Sequence, residues 1–257
     1  VIFPQMAPFG AGLMQYRSPI SPEQNLEGIR AYNRWLADFC QTSPERQAGV
    51  ALINVDDMDV TVQTVRDAKE AGLWGGVLLP TSTGDQPFYH HPRYEPLWAV
   101  CDGVEMPIQS HSGWSPDYGD SVAAVAMYIS EVDMWAHRPF TALLWSGVFE
   151  RYPKLQVGSV EMELSWVPHF LDRIDYTYTQ RVQEFSHGNR FKEGALPSDF
   201  FHSNVFLGFQ EDVLGIKDRY LIGVDNLTWG SDYPHQESTF PKSQEIIEEI
   251  LACRLYT

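Results

Sequence analysis

The feature that most constrains this chain is a regular exchange between two hydrophobic periods. Seven strand-length apolar runs occupy residues 1–4, 49–53, 76–80, 107–111, 156–161, 204–209 and 227–232. Each is rich in Val, Ile, Leu or Phe, and turn residues bound it. None alternates polar with apolar, the pattern of strands covered on both faces. Helical patterns fill the intervals. Ser21-Pro22-Glu23 is a helix start, with Ser21 as N-cap and Pro22 at the first helical position, and Leu26, Ile29, Leu36 and Phe39 share the next face. Val62, Val65 and Ala68 mark a helix closed by Gly72, and Leu97, Trp98 and Cys101 mark another. Residues 123–150 hold two helices in tandem, broken near His137-Arg138-Pro139. Residues 165–184 form a helix with Pro168 in its first turn, and residues 241–251 carry Ile246, Ile247 and Ile250 on one side. Such alternation predicts a parallel sheet in an α/β fold. No repeat, low-complexity tract or linker divides the chain, so residues 1–257 read as one domain.

A 257-residue length suits a closed (β/α)8 barrel, the TIM barrel, built as a single domain. A closed barrel needs eight strands and seven are visible, so strand one is expected to be missing from this sequence. The links from helix to strand are short. Several links out of strands are long and aromatic: residues 5–19 hold Phe9, Met14 and Tyr16, residues 81–92 hold Phe88, Tyr89, His90 and His91, and residues 112–120 hold Trp114 and Tyr118. Ligands of α/β folds sit outside the carboxyl ends of the strands, where these loops collect.

Charge narrows the partners. The formal net charge of −16 argues against nucleic acid and against an anionic membrane surface. A small-molecule substrate, carboxylated or not, stays compatible, because one local Arg or metal ion outweighs a diffuse field. Cys40, Cys101 and Cys253 sit apart in apolar helical patterns and read as reduced core residues of a cytoplasmic protein. No secretory signal and no bilayer-length apolar run is visible.

Three ionisable residues end strand-length runs: His111, Glu161 and Asp232. A neutral imidazole and two carboxylates are suitable ligands for Zn²⁺, Fe²⁺ or Mn²⁺, and a metal would bring the pKa of bound water to about 7. Each also has a bland reading. His111 could be a satisfied structural histidine, Asp232 could start a turn before Tyr233-Pro234, and Glu161 could be a paired carboxylate. Placed jointly at matching strand ends, they point to a site. Arg138 is a candidate grip for a carboxylate. Trp114 is a candidate wall of the substrate pocket, although aromatic residues are more often packing.

The string Ser146-Gly147-Val148-Phe149-Glu150-Arg151-Tyr152-Pro153-Lys154-Leu155 resembles the segment before strand six in the amidohydrolase-2 branch of the amidohydrolase superfamily, to which aminocarboxymuconate-semialdehyde decarboxylase belongs. Trp229-Gly230-Ser231-Asp232-Tyr233-Pro234-His235 is similar to the strand-eight signature of that branch. Met106-Pro107-Ile108-Gln109-Ser110-His111-Ser112-Gly113 resembles its strand-five histidine motif, and Ala31-Tyr32-Asn33-Arg34-Trp35-Leu36 fits its first retained helix. The resemblance implies His111 and Asp232 as metal ligands, Asp232 as the group that moves a proton, and His235 as a substrate contact or neighbour of the ligands. It also implies homodimerisation. Two departures stand out. The His-x-His or Glu-x-His motif of strand one is absent, so a chain truncated at its N-terminus and shortened near its C-terminus is expected. The His-Gly-Gly-Gly segment of the branch's decarboxylases is replaced by Glu161-Met162-Glu163-Leu164-Ser165-Trp166, which leaves the role of Glu161 open between ligand and acid or base.

The expected function is therefore hydrolysis of a small organic substrate at one or two divalent ions, zinc foremost with iron or manganese as options. Metal-bound water would attack a carbonyl or ester-like carbon, Asp232 would shuttle the proton, and Glu161 would assist. The alternative is metal-dependent non-oxidative decarboxylation. A metal-free barrel kept as a binding scaffold is the third reading.

Overall fold

The computed structural model describes residues 1–4, 21–112, 115–181 and 191–252. The chain divides into two compact units, residues 1–158 and 159–257. Among the described residues six strands follow the chain in sheet order, β1 to β6. They are β1 (Val50–Leu52), β2 (Gly76–Leu79), β3 (Ile108–His111), β4 (Val157–Val160), β5 (Val205–Phe209) and β6 (Leu227–Trp229). The unit boundary falls inside β4.

In the first unit the order is α1 (Pro22–Cys40), β1, α2 (Met58–Glu70), β2, α3 (Glu95–Gly103), β3, α4 (Val122–Ala136), α5 (Arg138–Trp145) and α6 (Val148–Arg151). Helix α1 opens with a capping box: Gln24 N donates to Ser21 Oγ at 3.3 Å and Ser21 N donates to Gln24 Oε1 at 2.9 Å. Its Asn33 amide locks onto β1, donating to Leu52 O at 2.9 Å and accepting from Leu52 N at 2.8 Å. Asp57 caps α2 by accepting from the amides of Asp59 and Val60. Strands β1, β2 and β3 pair in parallel, with Val50 opposite Gly76 and Val77 opposite Ile108, and every residue in them is buried. That burial on both faces explains the uniformly apolar composition of β1 and β2, whereas β3 buries Gln109, Ser110 and His111, with Gln109 Nε2 donating to Gly75 O at 2.8 Å. The pairing also needs backbone proximity at Gly76, whose φ is +107°, and a Cβ there would stand 2.4 Å from Pro107 O. The first apolar run contributes one parallel bridge, Ile2 to Gly49.

The loop of residues 81–92 closes over the core with its aromatics inward. Tyr89, Tyr94 and Trp98 are fully buried, their ring centroids 5.0–6.3 Å apart. Tyr89 donates to Pro80 O, and Tyr94 donates to Pro87 O at 2.6 Å. His90 and His91 face solvent, and His91 accepts from Arg93 N at 3.2 Å. Cys40 and Cys101 are buried, and burial pushes both thiols up from their ordinary pKa. Cys253 and the aromatic residues of 5–19 lie outside the described residues.

The second unit contains α7 (Val167–Gln180), α8 (Pro197–Asn204), β5, α9 (Val213–Lys217), α10 (Arg219–Ile222), β6 and α11 (Ser243–Ala252). Strands β5 and β6 pair in parallel, Leu207 opposite Leu227. Phe170 and Phe201 pack α7 against α8 at a ring distance of 5.8 Å, with Trp166 edge-on to both. No helix among the described residues is long and apolar enough to cross a membrane.

Candidate metal centre

In the second unit the backbone turns left-handed where β4 and β6 run out. Glu161 has φ +55°, Glu163 +50° and Asp232 +52°. A non-glycine residue in that region costs roughly 1–2 kcal/mol, so the surroundings must impose it. After β6, Gly230 N extends the ladder to Phe209 O at 3.1 Å. The chain then folds back on Ser231, whose carbonyl accepts from Ser238 Oγ at 2.8 Å and Thr239 N at 3.1 Å. His235 N donates to Asp232 O at 2.8 Å, closing a tight turn. This turn brings the imidazole back over its own strand end.

The outcome is a compact donor set. His235 Nδ1 lies 2.7 Å from Asp232 Oδ2 and 3.6 Å from Glu161 Oε1. One ligand atom from each of Glu161, Asp232 and His235 falls within 4.8 Å of the others. The Glu161 and Asp232 side chains are 23 % and 29 % exposed and the imidazole 49 %, so solvent reaches the ring more readily than the acids. Two carboxylates and one imidazole at that spacing fit a divalent cation of the Mn²⁺, Fe²⁺ or Zn²⁺ type. They suit a hard, oxygen-preferring ion better than a thiophilic one.

A second layer of acids ties down the loops that carry these groups. Asp212 Oδ2 accepts from Leu164 N at 2.7 Å and Ser165 N at 2.6 Å, and its Oδ1 accepts from Gly215 N at 2.7 Å. Glu163 accepts from Gln210 N and Glu211 N at 3.3–3.4 Å. Burial raises the pKa of Glu163, against the pull of those two amides, and the carboxylates of Asp212 and Glu211 raise it further. Trp166 Nε1 donates to Met162 O at 2.9 Å, pinning the same loop from inside. Sequence reasoning did not single out Asp212 or Glu163 in these roles. The available signal was the polar cluster 210–212 directly after a strand.

The other candidates are placed as follows. His111 ends β3 in the first unit, buried, with Nδ1 3.1 Å from Ser112 O and its ring 6.2 Å from that of Phe3. Arg138 opens α5 on an exposed position, its guanidinium 5.1 Å over the Phe88 ring. Trp114 lies outside the described residues.

The sequence model of the amidohydrolase family matches residues 22–252. The gamma-resorcylate decarboxylase of Rhodococcus jostii strain RHA1 is 28 % identical over 167 residues, 60 % of this chain and 50 % of that protein, so the match spans about half the relative's length. Among solved structures, the 5-carboxyvanillate decarboxylase of Novosphingobium aromaticivorans, complexed with manganese and 4-hydroxy-3-methoxy-5-nitrobenzoic acid, superposes with a TM-score of 0.75. It is 20 % identical, and the alignment covers 96 % of this chain and 69 % of the other. The 2,6-dihydroxybenzoate decarboxylase of Rhizobium gives 0.66 at 21 % identity, covering 89 % and 71 %. These likenesses show an α/β barrel fold, as the strand and helix alternation predicts.

The expectation of hydrolysis is corrected by the same comparisons: the relatives named are decarboxylases. The preference for hydrolysis rested on one absence, that of a His-Gly-Gly-Gly segment after strand six. That segment concerns which side chain carries a proton. A carboxyl group can deliver a proton to carbon as an imidazole can, so the absence of that segment is no argument for water as the nucleophile.

Proposed function

From the premise that this chain belongs to the amidohydrolase family, we propose that it is a metal-dependent non-oxidative decarboxylase of small hydroxylated aromatic carboxylates. What supports the reading is the Glu161–Asp232–His235 donor set at the strand ends, taken with relatives that remove CO₂ from hydroxybenzoates. Glu161 and Asp232 would hold the cation through one oxygen each, and manganese suits this oxygen-rich pair and is named with the Novosphingobium relative. When bound, such a cation supplies a fixed positive charge that orients the substrate's carboxylate and phenolic oxygen.

The chain's own part is proton handling. His235 Nδ1, 2.7 Å from Asp232 Oδ2, keeps that second oxygen supplied with a proton, and the half-exposed ring renews it from solvent. Asp232 hands the proton to the ring carbon that bears the carboxylate. The bond from that carbon to the carboxylate then breaks, its electron pair returns to the ring, the aromatic product keeps the new C–H bond, and CO₂ leaves. A solvent proton taken through His235 restores the starting state.

The test is to assay CO₂ release from 2,6-dihydroxybenzoate and 5-carboxyvanillate by the manganese-loaded and chelator-treated protein. Metal-dependent CO₂ release is expected. Hydrolysis of ester or amide substrates with no CO₂ from either carboxylate would overturn the reading.

A further inference from the structure

We propose that Asp212 is a positioning residue which, together with Glu163, sets the direction of Glu161 and so the strength of the cation site; this rests on the reading above of Glu161 as a cation-holding group. The left-handed backbone at Glu161 and Glu163 is the starting point, because no glycine or asparagine there makes it easy. Two reciprocal clamps impose it. Asp212, on the loop after β5, gathers the amides of Leu164 and Ser165. Glu163, on the loop after β4, gathers the amides of Gln210 and Glu211. Each loop thus carries the acid that satisfies the other's donors.

The seat is close on both sides. A Cβ on Gly215 would stand 2.3 Å from Leu164 Cβ and 2.6 Å from Asp212 Oδ2. Met162 and Leu164 are buried at 1 % and 0 % exposure. The segment between β4 and the Asp212 clamp is therefore fixed at both ends, with alternate side chains committed to the core. From that backbone Glu161 points toward His235, its Oε1 3.6 Å from Nδ1. Asp212 acts through this backbone, as outer groups that orient ligands do elsewhere.

Asp212→Ala removes both carboxylate oxygens, so the amides of Leu164, Ser165 and Gly215 all lose their acceptor. Two measurements decide. In a crystal structure of the metal-free variant, Glu161 is expected to leave the left-handed region and its distance to His235 Nδ1 to open beyond 3.6 Å. In a calorimetric titration with Mn²⁺, the dissociation constant is expected to rise about tenfold over wild type. The control Asp199→Asn, which alters a carboxylate bonded to Leu196 N at the start of α8, is expected to leave the dissociation constant unchanged. Retention of the Glu161 geometry, or an unchanged Mn²⁺ affinity, in Asp212→Ala overturns the proposal. Should Asp212→Ala fail to fold, Glu163→Ala removes the acceptor of the opposite clamp and carries the same expectations and the same overturning results. A wild-type protein that takes up no Mn²⁺ sinks the cation reading instead, while the variant's backbone still decides the clamp.

Discussion

The strand ends of the two units are built differently. In the first unit β3 keeps an extended course through His111, and among the described residues the positive φ angles fall on glycines, with one exception, Glu105 at +51°. Glu105 stands on the exposed turn between α3 and β3, paired with Lys154 at 3.0 Å. It eases a helix into a strand. In the second unit, Gly194 and Gly223 apart, the described residues with positive φ are acidic and stand where strands exit. Strain at a strand entrance serves chain reversal. Strain at a strand exit, imposed by Asp212 and Glu163, aims a carboxylate.

The sharpest way to break this contrast is Asp232→Ala. Turnover is expected to fall about a thousandfold, the scale of losing a proton donor. Far-ultraviolet circular dichroism is expected to stay unchanged, because the side chain is partly exposed and outside the core. Equal turnover would remove chemistry from the second unit's strand ends altogether.

Next in size is Glu161→Gly, which should separate stability from function. Glycine relieves the left-handed strain, so the metal-free protein is expected to gain about 1 kcal/mol in thermal unfolding. Manganese affinity is expected to drop in the same variant by more than the roughly tenfold expected at Asp212, because a cation-holding carboxylate is removed and not merely reoriented. A variant that melts lower would show that Glu161 is held for packing.

The first unit gives the matching pH test. Burial lowers the pKa of His137, at the junction of α4 and α5, below its ordinary 6.5, with Asp133 opposing. The folded protein then binds fewer protons than the unfolded chain below pH 6.5, so the stability is complete above that value and is lost as pH falls toward the lowered one. Melting temperature across pH 5 to 7 should show this slope, and His137→Asn should flatten it. The smallest effect is expected for Glu105→Gly: a slightly higher melting temperature, with manganese affinity and CO₂ release unchanged.

Most of the architecture is legible in the residues. Six of the seven apolar runs contain strands, buried throughout in β1 to β3 and partly exposed in β5 and β6, and the N-cap at Ser21 and the break at His137 mark real helix ends. The run at 227–232 was read too long: β6 stops at Trp229, since Asp232 has already turned left-handed. Helices α8, α9 and α10 escaped notice because four to eight residues are too few to display a period. Glu161 and Asp232 were legible as strand-end carboxylates expected to share a site with His111. His235 was legible only through the resemblance, as a substrate contact or neighbour of the ligands, because its approach to the two acids depends on the turn that folds it back. Asp212 was least legible, since its value depends on which loop lies beside it.

The deep placement of Cys40 and Cys101 gives the first unit a built-in clock. A thiol sealed in the core reacts with a labelling reagent only during the moments when its surroundings open. Mass spectrometry of the wild-type chain under timed alkylation therefore ranks the opening of α1 against that of α3, without a single engineered probe.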